Sequence, residues 1–265
     1  MGLPSLDTLR SWFAAYCRGY YGDDPAARRN IVLKEGHTAR VCDNMDRLTA
    51  SLDLDSHERH CAAVVALFHD LGRFEQYRRF GTFRDADSVD HAQLGVRVLA
   101  EEGLLRDADA ADRAVILQSI ALHNRFALPD GLDYRGLLLA RLIRDADKLD
   151  IWQVFVEFYA QPEEERASAV GLGFPDEPHC SAEVVRRVLS GEMVRLDMLR
   201  TLNDFKLLQL SWVFDLNFPA SYRIAAERDL VGQLALTLPQ EESIERAVAV
   251  VRRRLVQCMK EDVAV

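Results

Sequence analysis

Residues 61–74, CAAVVALFHDLGRF, decide the expected fold of this chain. An apolar run of this length with a polar start near Asp55 or Ser56 is typical of a buried helix. Gly72 is expected to end that helix, because glycine readily adopts the left-handed conformation found after the last helical residue. The pair His69-Asp70 would then lie at a helix end, with both side chains directed toward a cavity.

Helical periodicity continues on both sides of this segment, and no β-branched run alternates cleanly. Residues 73–86, RFEQYRRFGTFRDA, are basic and aromatic and are predicted to form an irregular loop. The sequence therefore predicts an all-α fold. The other predicted helices cover residues 5–20, 25–51, 88–103, 109–124, 133–160, 181–190, 192–214, 219–237 and 241–260.

Proline and glycine cluster between residues 161 and 179, which marks the one expected internal boundary. We predict a helical bundle over residues 1–160 and a C-terminal helical extension over residues 180–265 that packs on it. The extension contains no histidine. Its expected role is therefore support or oligomerisation, such as formation of a homodimer.

Composition excludes several classes of protein. A formal net charge of −9 disfavours a nucleic-acid polymer as partner, because such partners select for a basic surface. The N-terminus has no charged segment followed by an apolar core, and no apolar run approaches the ~20 residues of a membrane span. The five cysteines are far apart and form no CxxC pair, so we expect reduced thiols and a cytoplasmic location.

Histidine and aspartate side chains recur on the predicted helices in a pattern that suits a metal site. Bundle interiors often hold such sites, and imidazole with carboxylate binds Fe, Mn, Co, Ni or Zn. From the residues alone, Asp145 and Asp150 are alternatives to Asp147 as the aspartate ligand on the predicted helix over residues 133–160. The candidate ligands are His37, His69, Asp70, His91, His123 and Asp147.

The order His, His-Asp, His, His, Asp on successive helices resembles the HD superfamily of metal-dependent phosphohydrolases. The resemblance covers residues 30–155, with HDLGRF similar to the helix that carries the His-Asp doublet and IRDADKLDIW similar to the last metal-binding helix. It implies an all-α HD bundle, two divalent transition-metal ions per chain and water attack on a phosphate ester. It also implies that Asp70 bridges the two ions, that His37, His69 and Asp147 bind the first, and that His91 and His123 bind the second.

A small phosphorylated substrate also needs cations to neutralise its charge. Arg73 follows the doublet by three residues, where many HD proteins carry lysine, and the planar guanidinium group suits a phosphate. Asp70 and Arg73 are therefore the expected catalytic residues. The expected substrate-binding residues are Lys34, Arg40, Arg73, Arg79 and Lys148.

Two other functional classes stay open on the sequence alone. One is a sensor or scaffold that keeps its metal but has little turnover. The other is a di-iron oxygenase, since a few HD-like proteins cleave their substrates oxidatively. The basic segment after the doublet favours a phosphate substrate over that second alternative.

Overall fold

The structure, a computed structural model, describes residues 2–161 and 173–260. Within these two ranges all regular secondary structure is helical and no strand occurs, so the predicted all-α fold is confirmed. The chain divides into two compact units, with the division inside one long helix between Asp150 and Ile151. The packing of an extension over residues 180–265 on residues 1–160 stays a prediction.

The first unit contains the helices that carry every histidine and aspartate of the candidate site. Helix α3 packs against α1, α2 and α6, and α5 packs against α4 and α6. The helices are α1 (Leu6–Arg18), α2 (Pro25–Ala50), α3 (Ser56–Phe68), α4 (Gly72–Phe80), α5 (His91–Glu102), α6 (Ala110–Leu122) and the first part of α7 (Tyr134–Ala160).

Local sequence explains where these helices begin and end. Asp24 accepts hydrogen bonds from the first amides of α2, and Pro25 occupies the first helical position, where its missing N–H has no cost. Asp90 caps α5 in the same way, through the amides of Ala92 and Gln93. Gly103 ends α5 with φ of 64°, in the left-handed region. The predicted extents of these helices agree with the structure within a few residues.

The segment around the His-Asp doublet differs from the prediction in two respects. Helix α3 ends at Phe68, and after a turn Gly72 opens helix α4 rather than ending α3. Residues 73–80 are therefore helical, and the link between α4 and α5 covers only residues 81–90, with a 3-10 turn over Asp85–Asp87. A tertiary contact explains the glycine, because a Cβ on Gly72 would lie 2.1 Å from the carbonyl oxygen of His91 and 2.6 Å from the amide nitrogen of Gly95.

An aromatic cluster holds the doublet segment in place. The ring of Phe13 on α1 contacts Phe68 edge to face at 6.5 Å and Phe74 on α4 at 5.7 Å, measured between ring centroids. Phe68 and Phe74 are completely buried. Residues 69 and 70 are thus flanked by two anchored aromatic side chains.

The second unit begins at Ile151 and is also helical. The predicted helix over residues 192–214 is too long, because α9 starts only after Thr201, whose side chain forms a capping box with Asp204. The predicted helix over residues 219–237 is divided at Asp229, which has φ of 48°. The helices of the second unit after α7 are α8 (Ala182–Leu189), α9 (Leu202–Ser211), α10 (Pro219–Glu227), α11 (Leu230–Ala235) and α12 (Glu242–Cys258).

Two further sequence expectations bear on these residues. All five cysteines are free, as the absence of paired spacing indicated. Among the residues described, no helix combines the length and the apolar character needed to cross a bilayer. Pro162 and Gly171 of the predicted boundary lie outside the described residues.

Candidate metal centre

The carboxylate of Asp70 lies at the centre of four imidazole rings. Its Oδ2 atom is 3.4 Å from Nε2 of His37 and 3.8 Å from Nε2 of His69. Its Oδ1 atom is 3.3 Å from Nε2 of His91 and 3.7 Å from Nε2 of His123. Asp70 is only 3% exposed. One buried carboxylate therefore directs a different oxygen toward each pair of histidines.

Asp147 on α7 completes the group around Oδ2. Its Oδ1 atom lies 3.1 Å from Nε2 of His37 and 3.7 Å from Nε2 of His69, while the two histidine nitrogens are 3.2 Å apart. Donors bound to one ion at about 2.1 Å are roughly 3.0–3.5 Å apart. We call His37, His69, Asp70 and Asp147 the first cluster.

The second cluster consists of Asp70, His91 and His123. The Nε2 atoms of the two histidines are 3.0 Å apart, again a spacing that suits two ligands of one ion. His91 is the first residue of α5 and His123 follows the last residue of α6. The structure thus brings all six predicted ligand side chains together in two adjoining clusters.

Backbone carbonyls orient one histidine of each cluster. Nδ1 of His69 donates to the carbonyl oxygen of Ala66 at 2.8 Å, and Nδ1 of His123 donates to that of Ile120 at 2.7 Å. A carbonyl oxygen only accepts, so Nδ1 carries the hydrogen in both rings. The lone pair of Nε2 is then directed at the centre, as a metal ligand requires.

Carboxylates orient the other histidine of each cluster. Nδ1 of His37 donates to Asp150 at 2.7 Å, and Nδ1 of His91 donates to Asp85 at 2.7 Å. Sequence reasoning considered Asp150 only as a competitor of Asp147, and it did not identify Asp85. The three-residue spacing of Asp147 and Asp150 on one helix was a usable signal, because such residues share a face. No comparable signal pointed to Asp85, which lies in the link between α4 and α5.

The centre carries negative charge that favours a cation. Burial raises the pKa of Asp70, but Lys34 and His69 outweigh it and hold that pKa well below its usual range. Burial and Lys34 lower the pKa of His37, yet its acceptors Asp147, Asp150 and Asp70 raise it to about 10. Carboxylates that stabilise the protonated imidazole of His37 also favour a metal cation beside it.

Two of the predicted substrate-binding cations lie beside Asp70. Nζ of Lys34 is 2.7 Å from Asp70 Oδ2 and 5.5 Å from the ring centroid of Phe83. Nε of Arg73 is 3.5 Å from Asp70 Oδ1, and its Nη1 donates to Asp85 at 2.9 Å and to the carbonyl oxygen of Phe83. Arg73 is therefore attached to the link as well as to the centre.

The other three predicted substrate-binding residues have different surroundings. Arg40 holds Asp150 through Nε at 2.6 Å and Nη2 at 3.1 Å. Arg79 is largely exposed and pairs with Glu75. Lys148 is buried and follows Asp147 on α7. A substrate contact by any of the three stays a prediction.

A model of a known protein family matches this part of the chain. The family model of the HD domain covers residues 35–152, a span that includes all six clustered side chains. The comparisons with curated proteins and with solved structures returned no match. HD domains bind divalent metals, and the two clusters offer donors of the kind they use. Residues 35–152 therefore form an HD domain, as the order of histidines and aspartates predicted.

Proposed function

We propose that this protein is a phosphohydrolase with a two-metal centre held by His37, His69, Asp70, His91, His123 and Asp147. The observation that carries the proposal is the position of Asp70, whose two carboxylate oxygens face separate histidine pairs. A carboxylate in this position is suited to bridge two ions. Each ion would then have ligands from both the shared carboxylate and its own cluster.

The residues present fit divalent transition metals. Imidazole and carboxylate donors suit Fe, Mn, Co, Ni or Zn, and all four imidazoles offer Nε2. When bound, a pair of such ions supplies Lewis acidity toward a phosphoryl oxygen and toward the attacking water. The carboxylates of Asp70 and Asp147 would offset the positive charge of the ions in this buried site.

Lys34 and Arg73 provide the cationic surroundings that an anionic substrate needs. The ammonium group of Lys34 has three N–H donors, and the contact with Asp70 uses one of them. The remaining donors are suited to phosphate oxygens held at the same centre. Arg73 lies on the other side of the carboxylate, next to Oδ1. Both cations would stabilise negative charge that grows on the phosphoryl group during attack.

A di-iron oxygenase is the second candidate, because the same six ligands suit two iron ions. The cations beside Asp70 favour the phosphohydrolase, since an anionic substrate benefits from them directly. A sensor that keeps its metal without turnover would have the same ligand set. Activity measurements distinguish all three.

The proposal is tested by metal analysis together with a substrate screen. Purified protein loaded with Mn²⁺, Fe²⁺, Ni²⁺, Co²⁺ or Zn²⁺ should hold close to two ions per chain. It should release phosphate or a phosphorylated product from at least one class among nucleotides, sugar phosphates and dinucleotides. His69→Ala should remove the first-cluster ion and the activity. His179→Ala is the matched control, because the side chain of His179 is exposed and lies outside both clusters.

Three results would contradict the proposal. A folded protein that cannot be loaded with metal would exclude the two-metal centre. Full metal loading without turnover of any phosphorylated compound would favour the sensor. Iron-dependent oxygen uptake in place of phosphate release would favour the oxygenase.

A further inference from the structure

The two clusters are oriented by carboxylates of different origin. Asp150, which holds His37, lies on helix α7, is 0% exposed and is paired with Arg40. Asp85, which holds His91, lies outside the α-helices in the link between α4 and α5, and its side chain is 31% exposed. The second cluster therefore depends on a residue of a short 3-10 turn in this link.

The side chain of Asp85 contacts four residues from three other parts of the first unit. Nη1 of Arg73 at 2.9 Å and Nε2 of Gln76 at 2.8 Å reach it from α4. Asn124, the residue after His123, donates from Nδ2 to the Asp85 carboxylate at 3.3 Å. Nδ1 of His91 lies 2.9 Å from Oδ1 and 2.7 Å from Oδ2. The neighbouring donors fix the carboxylate, and the carboxylate in turn fixes the imidazole ring of His91.

The contact between Asp85 and His91 affects how strongly His91 can bind a metal ion. A carboxylate that accepts the Nδ1 hydrogen keeps the imidazole in the tautomer with a free Nε2 lone pair and increases its basicity. The second cluster has three protein donors, whereas the first has four. Each donor of the second cluster consequently contributes a larger share of the binding energy of its ion.

We infer that Asp85 is a positioning residue for the second metal ion: it holds His91 as a ligand and has no equivalent effect on the first cluster. This inference rests on the two-metal centre of the proposed function but not on the reaction. It assigns a positioning role to a residue of the link that lies outside the six proposed ligands.

The test is metal binding by Asp85 variants, with Mn²⁺ alone as the probe. Wild-type protein freed of metal and reloaded should hold two ions per chain and give the electron paramagnetic resonance signal of a coupled manganese pair. Asp85→Ala should hold one ion and give the signal of an isolated Mn²⁺. Asp85→Asn keeps a neutral acceptor, so the affinity for the second ion should fall by about 10- to 100-fold while the first stays bound.

Asp87→Asn is the matched control. Asp87 lies in the same link, is half exposed and pairs with Arg84 rather than with a histidine. It should retain both ions and the coupled signal. If Asp85→Ala keeps the first ion, the helices that carry the first cluster are still folded in that variant.

The results separate this inference from the proposed function. Two tightly bound ions in both Asp85 variants would overturn the inference and leave the function intact. Loss of both ions in Asp85→Asn would also overturn it, because the effect would not be selective. A wild type with two ions and no phosphohydrolase activity would contradict only the function. A wild type that never binds a second ion would contradict both.

Discussion

The first and second clusters share Asp70 and repeat one arrangement, but they differ in what supports them. In each cluster one histidine donates Nδ1 to a backbone carbonyl three residues earlier, and the other donates Nδ1 to a carboxylate. Asp147, which belongs to the first cluster, and Asp150, which orients His37, come from one helix. In the second cluster the supporting carboxylate, Asp85, comes from the link between α4 and α5.

The comparison teaches that the same ligand geometry can arise from different structural sources. Asp147 and Asp150 are three residues apart on α7, so one helix face supplies both a ligand and the group that orients His37. The second cluster has no such helix. Its geometry depends on the close approach of α4 to α5 and on the side chains that surround Asp85.

The largest expected effect comes from removing the carboxylate that the clusters share. Asp70→Ala should lose both ions and lower hydrolysis by about 10³-fold or more, because Lewis-acid stabilisation is worth several kcal/mol and each 1.4 kcal/mol is tenfold in rate. Metal analysis and initial rates measure the two losses. Asp70→Asn sharpens the comparison, since its single amide oxygen can serve only one cluster.

Asp53→Ala is the control for this pair of variants. Asp53 is exposed in the connection between α2 and α3, so its removal should change neither metal content nor rate. Two ions retained by Asp70→Ala would show that the clusters do not depend on a shared carboxylate.

A smaller effect is expected from Lys34→Met, which keeps the length of the side chain but removes its charge. Both clusters should keep their ions, whereas KM for a phosphorylated substrate should rise about 10- to 100-fold. A hydrogen bond to a charged group contributes about 1.5–3 kcal/mol, which corresponds to that range. Steady-state kinetics measure KM, and metal analysis of the same sample measures the number of bound ions.

Arg29→Met provides the comparison for Lys34. Arg29 is exposed on the same helix, so its loss of charge should leave KM unchanged. An unchanged KM in Lys34→Met would remove Lys34 from the set of substrate-binding residues.

The smallest effect is expected from Gly72→Ala, which acts on the second cluster from a distance. The added methyl group would overlap the carbonyl oxygen of His91, so α4 and α5 must separate. Overpacking of this kind costs about 1–3 kcal/mol of unfolding free energy. We expect urea denaturation to detect this loss and metal titration to detect weaker binding of the second ion, with the first ion less affected.

Gly22→Ala is the corresponding control, because a Cβ on Gly22 meets no atom within 4 Å. It should leave the unfolding free energy and both metal affinities close to wild type. Equal weakening of the two ions in Gly72→Ala would contradict the separate support of the clusters.

Most helices of the first unit were predictable because their signals are local. Asp24-Pro25 and Gly103 mark helix ends through the conformations that these residues favour. The order of four histidines and two aspartates predicted the HD domain, which the family comparison confirms for residues 35–152. The same order nominated the six side chains whose donor atoms the structure brings together.

The errors lie where a tertiary contact overrides a local signal. A glycine after an apolar helical run is typical of a helix end, yet Gly72 is the first residue of α4. Its missing Cβ instead allows the backbone to approach α5 closely. For Arg73 and Arg40, which were predicted to bind substrate, the structure adds a carboxylate partner, Asp85 and Asp150 respectively, and their contact with substrate stays a prediction. Local composition does not contain these partners, since they are distant in sequence.

The sequence by itself determined the helical class, most helix ends of the first unit and the identity of the candidate metal ligands. These features follow from periodicity, capping and residue chemistry, all of which act within a few residues along the chain. Only the tertiary structure decided that Asp70 is shared between two histidine pairs, and that Asp85 and Asp150 orient His91 and His37. Those features depend on distances between side chains from different helices, which chain packing alone fixes.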